Sequence, residues 1–375
     1  MSSREWKEVK LGDLLNFRRG HDLPKKNMVP GTVPVVGSNG VIGYHNSFTT
    51  KAPCLTIGRS GNVGNPCFIN QDCWAHNTTL YVDNYKGNHP LYLFYLLKTL
   101  KLSHLSGGSA VPTLNRNHIH PILIRATVNP LEQRAIAATL SCIDDLIELN
   151  NRTNQVLEEM AQAIFKHWFV DFEFPNEDGQ PYKSSGGAMA DSELGEMPAG
   201  WRVEKLGKIV SVTSGKRPNI KTDSKTDEFW VPLVGASSIM GYVNDYLYDE
   251  PILVIGRVGT HGIIQRFSRP SWPSDNTLVF KSKYYEFTYQ ILKNIDYKVF
   301  NRGSTQPLIT QTDMKNFAII LPPTDVIAIF ENIIGSLFVL LNNNKIESDK
   351  LGYLRDALLP KLMSGEIRVP VEEVV

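Results

Sequence analysis

Hydrophobic residues fall along this chain in two alternating regimes. In the first, short β-branched or apolar runs lie at 33–36, 55–57, 80–82 and 119–124, bounded by Gly, Asn, Ser and Pro, and the same texture returns at 230–234, 252–255, 277–280 and 317–321. Punctuated runs of this length predict strands. One helix interrupts them in each block, over 91–102 and 285–295. Strands and helices do not alternate as βαβ units, so each block reads as α+β.

In the second regime, steps of four and three link Ile136, Leu140, Ile143, Ile147, Asn150, Asn154, Leu157, Ala161, Ile164 and Trp168. They link Phe330, Ile333, Leu337, Leu340, Asn344, Glu347, Leu351, Leu354 and Leu358 in the same manner. A 3.5-residue period sustained over several heptads predicts a coiled-coil seam. The first helix opens on Asn129-Pro130-Leu131-Glu132, the N-cap, N1 proline and N3 acid of a capping box, and Pro322-Pro323-Thr324-Asp325 is a weaker version. Each rod would be roughly 55 Å long at about 1.5 Å per residue. Neither can bury its stripe alone, so the economical arrangement packs one on the other. Asn150 and Asn344 hold the same mid-seam place in the two helices, at an offset of 194. A buried Asn there would fix register, although a seam open to solvent would give the same pattern. Pro360 is expected to kink or stop the second helix.

The two regimes recur because the chain is duplicated. Trp6-Lys7-Glu8-Val9-Lys10-Leu11-Gly12 returns as Trp201-Arg202-Val203-Glu204-Lys205-Leu206-Gly207, at an offset of 195. VPVVGSNGVIGY at 33–44 returns as VPLVGASSIMGY at 231–242, and IGRSGNVG at 57–64 as IGRVGTHG at 255–262, both at 198. A period this long is no solenoid. The organisation is a block at 1–129, a helix at 130–170, a Gly/Pro/Ser-rich acidic connector at 171–200, a second block at 201–323, a second helix at 324–363 and a tail at 364–375.

Charge follows the same division, hidden under a net +1. The first block carries 14 Lys+Arg against 6 Asp+Glu and the second 16 against 11, whereas 130–175 carries 3 against 8 and 324–375 carries 5 against 8. Basic blocks favour a polyanion, and the phosphate backbone is the commonest one. Fluctuating surface charge is the bland alternative, but it does not account for the same alternation in both halves. No apolar run reaches the roughly 18 residues of a membrane span, and MSSREWKEVK lacks a signal peptide's apolar core. Four cysteines in so long a chain make no disulfide framework, and a cytoplasmic, reducing location is expected.

Catalytic motifs are hard to find. The chain has no GxxxxGK[ST] loop, no GxGxxG opening a helix and no GxSxG elbow. Cys67, Cys73, His76 and His89 match no zinc spacing, and the second copy lacks cysteine, so no metal is expected. No set of acids or nucleophiles recurs in both halves, which favours binding over catalysis. What recurs is polar loop residues that differ in detail. Arg18, Arg19, His21, Lys25 and Lys26 stand against Lys216, Arg217, Asn219 and Lys221, and Ser38-Asn39 against Ser237-Ser238. Asn62 stands against Thr260-His261, His76-Asn77 against Asp275-Asn276, and Asn115-Arg116-Asn117 against Thr310-Gln311-Thr312. Arg59 and Arg257 occupy the paired glycine loops, and Arg302 lies in the second block. These side-chain types read base edges or hold phosphates. Tight hairpins and ordinary loop drift are the competing explanations.

At this point the chain resembles the specificity (S) subunit of type I restriction–modification systems. The resemblance rests on the repeated W-x(4)-L-G, the Gly-Ser…Pro at 108–112 and 303–307, Pro130-Leu131-Glu132-Gln133, and LLPKLMSGEI at 358–367. Asp325-Val326 departs from the pattern where Glu-Gln is expected. The resemblance implies an internal duplication with two similar globular target recognition domains separated by two long antiparallel coiled-coil helices. It implies double-stranded DNA with a bipartite site, each domain reading one half with the loop residues above. The helices would set the spacing and dock two methyltransferase (M) subunits, with restriction/translocase (R) subunits in the full complex. S-adenosylmethionine would be held by the M subunits and no cofactor by this chain. The protein would be non-catalytic, without membrane contact. The alternative is a coiled-coil assembly or adaptor protein with non-specific nucleic-acid binding.

Overall fold

The repeat is visible in the strand order of a computed structural model, which describes residues 6–105, 113–258, 262–300 and 308–370. The first half runs through β1 (Trp6–Lys10), α1 (Leu11–Leu14), β2 (Asn16–Arg19), β3 (Val33–Gly37), β4 (Gly40–His45), β5 (Cys54–Gly58), β6 (Pro66–Ile69), β7 (Trp74–Ala75), β8 (Thr79–Asn84), α2 (Pro90–Thr99), α3 (Arg116–Ile119) and β9 (Leu123–Thr127). The long helix α4 (Pro130–Phe169) and a hairpin of β10 (Met189–Ser192) and β11 (Gly195–Pro198) follow. The second half has β12 (Arg202–Lys205), β13 (Val210–Ser214), β14 (Val231–Val234), β15 (Ile239–Val243), β16 (Ile252–Gly256), β17 (Gln265–Phe267), β18 (Trp272–Pro273), β19 (Thr277–Ser282), α5 (Tyr285–Asn294), α6 (Gln311–Asn316), β20 (Ala318–Leu321) and the long α7 (Thr324–Ser364).

Sheets of order β2-β8-β5-β6, β4-β3-β7 and β1-β9 in the first half match β13-β19-β16-β17, β15-β14-β18 and β12-β20 in the second. Even the parallel pairs correspond, β3 with β7 and β14 with β18. The duplicated α+β fold expected from the sequence is therefore present. One expected strand is displaced: 119–124 divides between the end of α3 and the start of β9. Asn115 caps α3, its side chain accepting from the amide of Asn117 at 3.0 Å.

The chain divides into two compact units, Met1–Asn151 with Lys345–Val375, and Arg152–Asn344, so each contains half of both long helices. In the first unit, Phe17, Leu55, Ile57, Tyr92, Leu93 and Leu97 form a core with Ile136 and Leu140 of α4 and Leu362 and Met363 of α7. Its helix–helix contacts are antiparallel. Asn150 donates to Glu347 at 3.0 Å, and Arg355 to Asp144 at 2.8 Å. Nearest the helix start, Arg368 reaches Glu132. That carboxylate is fully buried and also accepts from the Trp6 indole at 3.1 Å and the Thr127 hydroxyl at 2.6 Å. Asn129 takes the capping bond, from the Leu131 amide at 2.9 Å, so Glu132 is free to tie β1, β9 and the segment after α7 together.

The second unit buries an aromatic cluster of Phe165, Trp168 and Phe169 from α4, Phe287 from α5, Phe330 from α7 and Trp201. The connector contributes to it. Phe172 and Phe174 bury against the Trp201 ring, at centroid distances of 5.7 and 4.9 Å. Arg266 on β17 forms two bonds to Glu286, at 2.5 and 2.7 Å, and its guanidinium lies 3.6 Å from the Phe338 ring centroid on α7. Glu331 of α7 accepts from the Glu286 and Phe287 amides at the start of α5, at 3.2 and 2.7 Å. Burial raises its pKa above the ordinary carboxylate value. Asn344 donates to Asn154, which is buried in this unit, at 3.0 Å.

Two helix expectations need correction. The seam of α4 follows the expected positions, but that of α7 alternates differently. Ile327, Phe330, Ile334, Phe338 and Leu341 are buried, and Ile333, Leu340 and Leu354 are exposed. Of the mid-seam polar residues, Asn344 donates to the buried Asn154 and Asn150 to Glu347. α7 also runs past Pro360 to Ser364. Pro360 is exposed and one turn from the helix end, so the carbonyl it leaves unpaired can turn to water. Averaged over 18 residues, α7 reaches a mean hydropathy of 1.8 with 28% of that window buried, long and apolar enough by those measures to cross a membrane.

Candidate nucleic-acid interface

In the first unit the loops at one end of the β2-β8-β5-β6 sheet are bonded through Thr78, in the turn between β7 and β8. Its carbonyl accepts the amides of Arg59 and Ser60, at 2.8 and 3.2 Å, and its hydroxyl the amide of Ser38 at 3.3 Å. His76 Nδ1 lies 3.0 Å from the same hydroxyl. Arg59 reaches the Asn77 carbonyl at 3.4 Å with its guanidinium, and its own carbonyl accepts the Leu114 amide at 2.8 Å, which brings in Asn115, Arg116 and Asn117. Asn62 is exposed in the same β5–β6 loop and Asn39 in the β3–β4 turn. His21 bridges to His76, and its ring nitrogen is 3.4 Å from the Tyr81 hydroxyl. Burial, then the neighbouring Arg19 guanidinium, holds Arg59 below the usual arginine range. Two cations stand together there.

Arg18 turns to Asp83 at 3.4 Å, and Lys25 and Lys26 are exposed on a 3-10 turn. No hydrogen bond among the described residues joins these three to the Thr78 hub.

The second unit rebuilds the same end. Arg257 donates its amide to the Asn276 carbonyl and accepts the Ile309 amide, both at 3.0 Å. Lys216 takes the place of His21: its amide bonds the Pro273 carbonyl at 2.9 Å, and its carbonyl accepts the Trp272 indole at 2.7 Å. Arg217, Asn219, Lys221, Met240, Ser274, Asp275 and Asn276 line a cleft of about 480 Å³. Ser237 and Ser238 are exposed in the β14–β15 turn. Thr310 caps α6 by a reciprocal bond with Asp313, and Gln311 lies 3.0 Å from the Ser214 hydroxyl, with Thr312 exposed beside it. Thr260, His261 and Arg302 lie outside the described residues.

The backbone bonds correct one sequence pairing. His76 and Ser274 donate to Val36 and Val234, both at 2.9 Å, so Asn77 corresponds to Asp275 and Thr78 to Asn276. The sequence alignment set His76-Asn77 against Asp275-Asn276, one residue out of step. Sequence reasoning missed Asp22, Thr78 and Ser274, and the offset of 198 seen in the flanking strands would have located the last.

Elsewhere in the first unit, Cys54 and Cys73 are buried with their sulfurs 2.7 Å apart, and Cys67 is half-buried. Among the described residues no group of three His, Cys, Asp or Glu is placed to hold a metal.

A duplicated fold presenting matched basic loops, with two long helices packed together, defines a binding protein of DNA-specificity type. The family model for the type I restriction modification DNA specificity domain matches residues 3–159 and 198–352, and the chain belongs to that family as a non-catalytic specificity subunit. The type I restriction enzyme MjaIX specificity subunit of Methanocaldococcus jannaschii is 31% identical over 309 residues, covering 74% of this chain and 69% of that protein. The HindI specificity subunit of Haemophilus influenzae is 24% identical over 443 residues, covering 96% and 94%. A crystal structure of a type I S subunit from M. genitalium shares the fold, with a TM-score of 0.62 at 18% identity over 96% of each chain.

Proposed function

We propose that this subunit reads a bipartite duplex site, with the block at 1–129 recognising one half and the block at 201–323 the other. The supporting observation is the paired loop end. Arg59 with Thr78 and Arg257 with Asn276 make the same backbone bond, while the side chains around them differ. A common frame carrying different polar tips is what two readers of two sequences need. The predicted site residues, with Arg302, Thr260 and His261 among them, belong to these readers.

α4 and α7, of 40 and 41 residues, set the distance between half-sites and dock two methyltransferase subunits. Exposed Ile329, Ile333, Val339 and Leu340 give α7 an apolar face beside its seam, interleaved with Asn332, Ser336, Asn342 and Asn343. That mixture suits a protein partner better than lipid. The methyltransferase subunits bind S-adenosylmethionine and modify adenine, and restriction subunits join the full assembly. The complex works in the cytoplasm.

Replacing 1–129 by the corresponding block of a relative tests the reading. Methylome sequencing is expected to show one altered half-site and one unchanged. A change in both halves together would refute the modular reading.

A further inference from the structure

We infer that Asn77 and Asp275 are matched specificity-determining acceptors, each taking a hydrogen bond from the exocyclic amino group of one base in its half-site. This rests on the DNA-reading proposal above. Both residues occupy the same place, the turn between β7 and β8 or between β18 and β19. The following threonines close the turns alike: Thr79 and Thr277 donate to His76 and Ser274, at 2.9 and 3.1 Å through their amides and at 2.8 and 2.7 Å through their hydroxyls. The turns are also braced from outside. A Cβ on Gly20 would lie 2.0 Å from the His76 carbonyl oxygen, and one on Gly215 would lie 2.3 Å from that of Ser274. Neither turn can shift without losing that close backbone approach.

Their chemistry converges although the residues differ. The Asn77 amide nitrogen donates to the Asp22 carboxylate. A carboxylate only accepts, so this contact fixes the amide orientation and leaves Oδ1 as the outward group. Asp275 is acceptor-only by nature, and no hydrogen bond or ion pair among the described residues engages it. It shares its cleft with Arg217, Lys221 and Ser274, whose hydroxyl is buried without a partner. A carboxylate repels phosphates, so amid these cations it is suited to meet a base. In the major groove only cytosine N4 and adenine N6 offer it a donor, whereas guanine N7 and O6 and thymine O4 present lone pairs.

The test uses the full chain assembled with its methyltransferase subunits, on duplexes carrying the motif read from methylome sequencing. Each adenine is replaced in turn by purine riboside, which lacks N6, and each cytosine by zebularine, which lacks N4. The two arms distinguish the two bases. In the wild type, one replacement per half-site is expected to weaken binding about 10- to 100-fold. Asp275→Ala is expected to abolish that loss in one half-site and keep it in the other, and Asn77→Ala to do the reverse. Intact discrimination at the other half-site reports that the variant is folded. Should the alanine variant not fold, Asp275→Leu, of similar size and without a polar atom, serves instead: it offers the base amino group no acceptor, so the loss should vanish there too. Persistence of both losses in the variants overturns this inference and leaves the DNA-reading proposal standing. Absence of any sequence-specific binding by the wild type removes both.

Discussion

Arg19 stands close enough to Arg59 to disfavour the charge of Arg59, and no ion pair among the described residues neutralises them. Such a pair gains most from an oxyanion between the two guanidiniums, so Arg59→Ala is expected to weaken binding to all sequences and to flatten the salt slope by about one unit. Fluorescence anisotropy across a salt series checks this, and an unchanged slope would count against a phosphate contact. His120 supplies a second residue-scale prediction. Its Nε2 accepts the Phe17 amide at 3.0 Å, which requires a neutral ring. Burial, then Arg116 and Lys86, lowers its pKa below the ordinary imidazole value. The unfolded chain therefore takes up the proton first. The contribution to stability is present above about pH 6.5 and is lost as pH falls through the lower folded value. Melting of the first unit should drop on acidification, less steeply in His120→Gln. Some slope remains because burial and Arg134 lower His89 in the same direction. In the second unit, Arg266→Lys should destabilise almost as much as Arg266→Ala, by about 3 kcal/mol, because an ammonium cannot make both Glu286 bonds and stack on Phe338. Thermal unfolding of the three proteins decides it.

The helices show where sequence reasoning succeeds and where it stops. α4 was legible: Ile136, Leu140, Ile143, Leu157, Ala161 and Trp168, read from the period, are buried. α7 carries neighbouring apolar pairs, Ile333-Ile334, Leu337-Phe338 and Leu340-Leu341, so a 3.5-residue period fits two seams one residue apart. Packing chose the second, with Phe338 against Arg266 and Tyr289. Strand positions were legible from their length and punctuation. The ties made by Glu132, Glu331 and Arg266 were not, because each joins elements distant in sequence and no local pattern marks them. Glu132 was taken for half of a capping box for the same reason. The Asn154–Asn344 pair makes an element-scale prediction. Replacing both by Leu should raise thermal stability while loosening register, since a buried polar pair specifies alignment at the expense of stability. The measurement is the spacer in the methylated motif: a mixture of lengths is expected, and a single unchanged spacer would remove the register role.

At the scale of the whole molecule, the duplication is not laid out as two successive lengths of chain. One compact unit is contiguous, Arg152–Asn344, whereas the other combines Met1–Asn151 with Lys345–Val375. The buried carboxylate of Glu132 is met from both sides, by Trp6 near one end and Arg368 near the other. Synthesis therefore imposes an order. The second unit has all of its residues once position 344 has emerged from the ribosome, while the first must wait with Ile136 and Leu140 uncovered until Leu362 and Met363 arrive. Domains fold as units during elongation, and exposed apolar surface invites misassembly. Chains truncated just after 344 and released from the ribosome should protect 152–344 from protease and leave 6–151 open to cleavage, so that the stretch made earlier is the later to fold.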